Sequence, residues 1–309
     1  MNDYLALILG VVFAGAGGEL FVRGAVGLAR WLRISPGIIG ATVAAFATSS
    51  PELSVAISSA LAGDPQIALG DGLGSNVVNV ALILGAALLI SAIHAPRDSV
   101  KRDFPVALLV PVITAVLVLD GEVSRMDGML LLGMFLAWMT AAVVEAKRQR
   151  SAAEQVLGEH RRGLAIVSCL TGLVFLVAAG VLIVMGAKGI AIAFGIDEFI
   201  VGATIVAIGT SAPEIATTLV AKLRGHDEVG LGTILGSNIF NGLFIIGVAA
   251  TIHPIVVDWR EILVALVFGA VALAFAFPSA RGHIERRRGV LLLVLYAAYL
   301  AAIIQGGAK

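Results

Sequence analysis

Two glutamates stand beside prolines inside apolar sequence, Glu52 after Pro51 and Glu214 after Pro213. An acid inside a membrane helix costs about 2.5–3.5 kcal/mol at the helix centre, so its presence there points to function. Each glutamate follows two hydroxyls, Thr48 and Ser49 in one case, Thr210 and Ser211 in the other. Proline has no N–H, so it frees the carbonyl four residues back, here Ala47 and Gly209. Downstream lie GSNVVN at 74–79 and GSNIFN at 236–241. In these, Ser75 with Asn79 and Ser237 with Asn241 are four residues apart and share a helix face. Carboxylate, hydroxyl, amide and carbonyl oxygens without imidazole or thiolate make a donor set for a hard cation. Six to eight of them suit Ca²⁺ and disfavour zinc or copper. Sodium accepts the same oxygens, so donor chemistry leaves the two ions open. Two carboxylates close together in low dielectric repel, and they coexist only by holding a cation or a proton.

These residues belong to one passage written twice. Residues 40–85 and 202–247 align without a gap at an offset of 162 positions, with 19 identities in 46 columns. Proline-broken hydrophobic segments at corresponding places in two halves are the sequence mark of a transporter's binding site. The whole composition agrees: 59% of the 309 residues are hydrophobic and 14% charged, far from a soluble domain. Ten apolar segments of spanning length are predicted, at about 4–30, 36–62, 66–91, 104–119, 128–146, 163–194, 199–221, 229–252, 262–278 and 289–304. The fold expected is an all-α membrane protein of ten transmembrane helices, arranged as two inverted five-helix repeats. Repeat 1 covers 1–146, a cytoplasmic connector 147–162, and repeat 2 163–309. Inversion follows from arithmetic: five helices is an odd number, so the second copy enters from the opposite side.

Charge orients the bundle. With the N-terminus outside, 16 of the 21 Lys+Arg fall on cytoplasmic connections, while the opposite loops are mostly acidic. This bias places both termini outside. The net charge of zero conceals that polarity and gives no reason to expect nucleic acid. No GxxxxGK[ST] loop is present, so neither nucleotide binding nor direct drive by ATP is expected. A single cysteine, Cys169, excludes an internal disulfide and a cysteine-based metal cluster. The start MNDYLALILG lacks a basic region, so the first apolar stretch reads as a retained helix. Neither a soluble regulatory domain nor an obligate protein partner is evident; the expected surroundings are the lipid bilayer.

The pairs TSSPE with GSNVVN and TSAPEI with GSNIFN resemble the two α-repeats of the calcium/cation antiporter superfamily, in its sodium/calcium exchanger branch. The resemblance covers the whole ten-helix plan, and it implies a prokaryotic plasma-membrane protein that exchanges Ca²⁺ for Na⁺. In that family, helices 2, 3, 7 and 8 surround the ions and helices 1 and 6 slide past them. Carried over by position, it implies that Glu52 and Glu214 bind both ions. Thr48, Ser49, Ser75, Thr210, Ser211 and Ser237 would offer hydroxyls to Na⁺, and Ala45 and Ala207 backbone carbonyls. Asn79 and Asn241 would close the central site. Some relatives carry aspartate at the place of Asn241, so this chain has two central carboxylates where they have three.

Other residues have plainer readings. Gly40, Gly70, Gly74, Gly202, Gly232 and Gly236 permit close helix approach. Glu19 and Arg23 form an i,i+4 ion pair. Trp31, Trp138 and Trp259 are interfacial anchors. Asp71, whose counterpart is Thr233, is either an acid on the ion path or a residue at a hydrated helix end. The function expected is a secondary antiporter with neither cofactor nor enzymatic activity, and the transported ions are Ca²⁺ and Na⁺. The alternatives are Ca²⁺ (or another divalent cation) exchanged for H⁺ on the same fold, a passive cation channel, and an intramembrane hydrolase built on the two acids.

Overall fold

Asn2 caps the first helix, its side chain accepting the Tyr4 amide at 3.0 Å, and an unbroken apolar run carries α1 from Asp3 to Leu32. The computed structural model describes residues 2–97, 99–153, 162–193, 211–257 and 259–307. Arg33 ends α1 in a left-handed conformation, φ 58°. Ser35 then accepts the Ile38 amide at 3.3 Å, and Pro36 occupies the first turn of α2.

The segment expected over 36–62 is two helices, α2 (Pro36–Thr48) and α3 (Ser50–Ala62), meeting at 46°. The break falls at Ser49, just ahead of Pro51. The Ala47 carbonyl that proline leaves free accepts the Ser50 hydroxyl at 2.7 Å. The remaining helices are α4 (Gln66–Ile90), α5 (Ser99–Asp120), α6 (Arg125–Ala153), α7 (Arg162–Ala193), α8 (Ala212–Leu223), α9 (Asp227–Ile252), α10 (Trp259–Ala276) and α11 (Arg286–Gly307). Two short antiparallel ribbons tie loops together: β1 (Ile93–His94) with β4 (His283–Ile284), and β2 (Glu122–Val123) with β3 (Ile255–Val256).

Among the described residues seven helices are long and apolar enough to cross a membrane, or eight if α2 and α3 count as one span. This falls short of the ten expected. Most of the segment at 199–221 lies outside the described residues, and the apolar part of α10, Ile262–Ala276, is short. One boundary also moves: α6 continues through 147–153, so the polar connector begins as helix.

Burial separates centre from perimeter. The apolar window of α9 is 89% buried and that of α4 72%, against 33% for α5 and 22% for α6 and α11. The two central helices carry the two GSN motifs. Outside them α1 packs along α7, and glycine makes this seam possible. A Cβ on Gly172 would lie 2.5 Å from the Phe21 amide nitrogen, and one on Gly17 would lie 3.0 Å from the Gly172 carbonyl. Small residues allow such backbone approach in membranes, where no hydrophobic force drives helices together. Trp138 departs from its expected place at the interface. It is 4% exposed, and its indole Nε1 donates to the Asp103 carboxylate at 3.1 Å. A buried indole N–H needs an acceptor, and Asp103 on α5 supplies one.

Because the Gly172 contact is backbone against backbone, neither side has a flexible end to move. Gly172→Val is expected to destabilise by about 1–3 kcal/mol. Thermal unfolding of the detergent-solubilised variant, followed by size exclusion, measures this. A melting temperature equal to that of the parent would mean the seam is loose.

Candidate functional site

Glu52 lies in the first turn of α3 and Glu214 in the first turn of α8, because in each copy the proline begins a new helix just before the acid. Both are 1% exposed. Glu214 Oε1 accepts the Ser49 hydroxyl at 3.0 Å and the Ser237 hydroxyl at 3.3 Å. These two contacts gather the α2–α3 break, α8 and α9 around one carboxylate. The Thr48 hydroxyl is turned to its own helix, donating to the Ala44 carbonyl at 3.0 Å. The Glu52 and Glu214 carboxylates lie close enough to repel one another.

The asparagines form a reciprocal lock between α4 and α9. Asn76 Nδ2 donates to the Asn238 carbonyl at 3.2 Å, and Asn238 Nδ2 to the Asn76 carbonyl at 3.1 Å. Asn79 Nδ2 donates to Asn238 Oδ1 at 3.0 Å, and Asn241 Nδ2 to Asn76 Oδ1 at 3.2 Å. Each bond in one copy has its mate 162 positions away with the roles exchanged, as a local two-fold axis requires. The network assigns the amide orientation. With both Nδ2 groups engaged, the Oδ1 atoms of Asn79 and Asn241 are left pointing elsewhere. Widened π turns begin beside them, at Val78 in α4 and Phe240 in α9, and such insertions concentrate at functional sites. Close backbone approach holds α2 against α9: a Cβ on Gly236 would collide with the Ala41 carbonyl.

What these side chains share is a set of oxygens with nothing to bond. Glu52 Oε2, Glu214 Oε2, Ser75 Oγ, Ser211 Oγ, Asn79 Oδ1 and Asn241 Oδ1 are all buried, with no hydrogen-bond partner among the described residues. Each orphaned polar atom costs about 1–3 kcal/mol, and charged ones more. Oxygens of these kinds are the donors that a hard cation takes. Among the described residues no three His, Cys, Asp or Glu side chains gather as a metal cluster, so any shell here pairs carboxylates with neutral oxygens.

The other expected residues fall as follows. Ala45 is buried, and its carbonyl accepts the Ser49 amide at 3.0 Å. The Thr48 hydroxyl also reaches this carbonyl, at 3.4 Å, so two protein donors face it. Ala207 and Thr210 lie outside the described residues. Asp71 sits one turn before Ser75 on α4, with Oδ2 buried and without a partner among the described residues. Its carboxylate repels Glu52, so it contributes negative field at the site. Glu19 pairs with Arg23 as expected but also accepts from Arg224 Nε at 2.7 Å, which makes it a clasp between α1 and the end of α8.

Sequence reasoning passed over two features. Asn76 and Asn238 orient the amides beside them, and the signal was available, since both asparagines recur in both motifs. Thr217 and Thr218, one turn beyond Glu214, are buried, and their hydroxyls have no partner among the described residues. Their counterparts are Val55 and Ala56, so the repeat carried no sign of them.

The family model described as sodium/calcium exchanger protein matches twice, over residues 3–144 and 164–305. The chain is 34% identical to the inner membrane protein YrbG of Escherichia coli, over 93% of this chain and 92% of that one. It is 29% identical to the sodium/calcium exchanger MaX1 of Methanosarcina acetivorans, over 97% and 98%. Among solved structures it resembles the sodium-calcium exchanger NCX_Mj soaked with 100 mM Na⁺ and 10 mM Sr²⁺. There the TM-score is 0.83 at 29% identity, covering 97% of each chain.

Since Asn76 and Asn238 hold two donor oxygens in place, Asn76→Ala is expected to weaken Ca²⁺ binding about tenfold, equivalent to about 1.4 kcal/mol. Isothermal titration of the folded variant reads this directly. Parental affinity would remove Asn76 from the positioning network.

Proposed function

Because this chain belongs to the sodium/calcium exchanger family, a family of membrane cation antiporters, we propose that it exchanges Ca²⁺ for Na⁺ by alternating access. The observation that supports this most is the set of six buried, partnerless oxygens contributed by residues of both sequence copies. In this reading Glu52 and Glu214 supply the two charges that balance one Ca²⁺. Asn79, Asn241, Ser75 and Ser211 complete its shell, and Thr48, Ser49, Thr210, Ser237 and the carbonyls of Ala45 and Ala207 serve Na⁺ in overlapping positions. Ion exchange then needs no separate device. The same carboxylates cannot hold both ion sets at once, so loading one releases the other.

Coupling follows from electrostatics. An empty site would carry two unpaired carboxylates through a closed, low-dielectric state, which is costly, so the loaded carrier is the form that crosses. Two five-helix repeats, 1–146 and 163–309, inverted about an axis in the membrane plane, would give the two closed states their symmetry. The paired matches to the family model and the reciprocal asparagine bonds support that arrangement. On the charge bias, both termini face outward from a prokaryotic plasma membrane.

Proteoliposomes test the whole reading. ⁴⁵Ca²⁺ uptake is expected to require Na⁺ on the opposite side. Uptake driven by a pH gradient without Na⁺ would replace the counter-ion with H⁺, and uptake with no counter-ion would indicate a channel. Glu52→Gln and Glu214→Gln are each expected to abolish exchange, because one remaining carboxylate leaves Ca²⁺ half neutralised. Full flux in either would exclude that residue from the shell. Asp71 acts through its field at Glu52, so Asp71→Asn is expected to lower apparent Ca²⁺ affinity several-fold while exchange persists. Unchanged affinity would assign Asp71 to the hydrated end of α4.

A further inference from the structure

The β1–β4 ribbon sets two histidines from opposite halves of the chain face to face. His94 and His283 are cross-strand partners, with ring centroids 4.9 Å apart and ring planes inclined by 53°. Their place in the ladder explains the approach. The Ala95 amide donates to the Gly282 carbonyl at 2.8 Å, so the neighbouring position is the hydrogen-bonded one. His94 and His283 therefore form a non-hydrogen-bonded pair, where facing Cα atoms lie only about 4.5 Å apart and side chains come closest. The adjoining turn holds this geometry. Its Gly282 amide donates to the Ser279 carbonyl at 2.8 Å, and the Ser279 amide to the His283 carbonyl at 2.9 Å. Gly282 adopts φ 75°, and a Cβ there would lie 3.4 Å from His94 Cε1, so its lack of a side chain keeps the imidazole edge clear. Both histidines are exposed, and among the described residues neither side chain makes a hydrogen bond or ion pair.

Ligand chemistry selects what two such rings can hold. Imidazole nitrogen suits Zn²⁺, Cu²⁺ and Ni²⁺, whereas Ca²⁺ takes oxygen. A tetrahedral ion with Zn–N bonds of about 2.0–2.1 Å bridges two nitrogens roughly 3.3 Å apart. Rings with centres 4.9 Å apart reach that spacing by turning about their own side-chain bonds. His94 also borders a cavity of about 470 Å³ together with Ser91 and Glu228, which leaves room for the waters of an open coordination shell. Lys222, in the same cavity, is already held by Asp227 and the Ala92 carbonyl. The position is remote from the ion site, since roughly 16 Å of α4 separates Asn79 from Ile90. We propose that His94 and His283 form a two-imidazole site for a divalent transition metal such as Zn²⁺, with water completing the shell. Because β1 follows the end of α4 and β4 leads into α11, the bound metal would tie those helices together without competing for Glu52 and Glu214.

Electron paramagnetic resonance of one equivalent of Cu²⁺, bound to the tag-free full-length protein in detergent, tests this on the parent alone. The spin-echo modulation is expected to show two coupled imidazoles, and a spectrum with one or none would overturn the proposal. Isothermal titration with Zn²⁺ gives the second measurement. His94→Ala and His283→Ala are each expected to weaken Zn²⁺ binding at least about tenfold, since even the hydrogen-bond partners of metal ligands are worth about 10–100-fold. Both side chains are exposed, so folding is spared, and Ca²⁺ affinity is expected to stay at the parental value in both variants. Parental Zn²⁺ affinity in either variant would overturn the assignment. So would displacement of the bound Zn²⁺ by excess Ca²⁺, which would move the metal to the carboxylates.

Discussion

Two carboxylates enclosed by protein, each with an oxygen that nothing bonds, set the terms for the rest of this molecule. Water would relieve them, but Glu52 and Glu214 are almost wholly removed from it. Serine hydroxyls relieve one oxygen of Glu214 and leave the other. A protein that keeps such groups needs either to neutralise them internally or to leave the compensation to a ligand. No arginine or lysine contacts either acid among the described residues. Neutral serine hydroxyls reach Glu214 instead, the kind of company that a small hard cation shares.

Holding that arrangement requires rigidity at the centre, and the asparagine lock provides it. Four hydrogen bonds spanning α4 and α9 fix the Asn79 and Asn241 amides, whose Nδ2 groups donate to Asn238 and Asn76 while their Oδ1 atoms accept nothing among the described residues. Satisfied polar networks in low dielectric rigidify and specify one geometry. The proline breaks act differently: by restarting a helix immediately before each glutamate, they direct a helix N-terminus at the place where the acids meet. The positive end of that helix dipole favours negative charge there. The same breaks release Ser49 from regular helix, so that its hydroxyl can reach the opposite copy.

The perimeter obeys another rule. Lipid offers no hydrophobic force to join helices, so α1 and α7 meet through glycine and backbone contact. At the ends of the bundle, polar clasps such as Glu19 with Arg224, and Lys222 with Asp227 and the Ala92 carbonyl, tie α8 to its neighbours.

The membrane class and the family were legible in the chain, for reasons that are local. Spanning length and apolarity are properties of contiguous residues, and a duplicated proline–glutamate with hydroxyls beside it exposes its symmetry without coordinates. Ser75, Asn79, Ser237 and Asn241 could be chosen because a four-residue spacing already puts them on one face. Tertiary packing decided what spacing cannot contain. Asn76 and Asn238 face each other across two helices, so their role depends on how α4 meets α9, although their recurrence was in plain view. Trp138 lies near a segment end in sequence yet is buried, because its partner Asp103 belongs to another helix. Thr217 and Thr218 have no counterparts, so symmetry was blind to them. Residue type and order determined which atoms this protein could offer to an ion. Only the crossing of distant helices decided which of those atoms were left without any other partner, because hydrogen bonds between copies 162 residues apart are set by packing and not by neighbours in the chain.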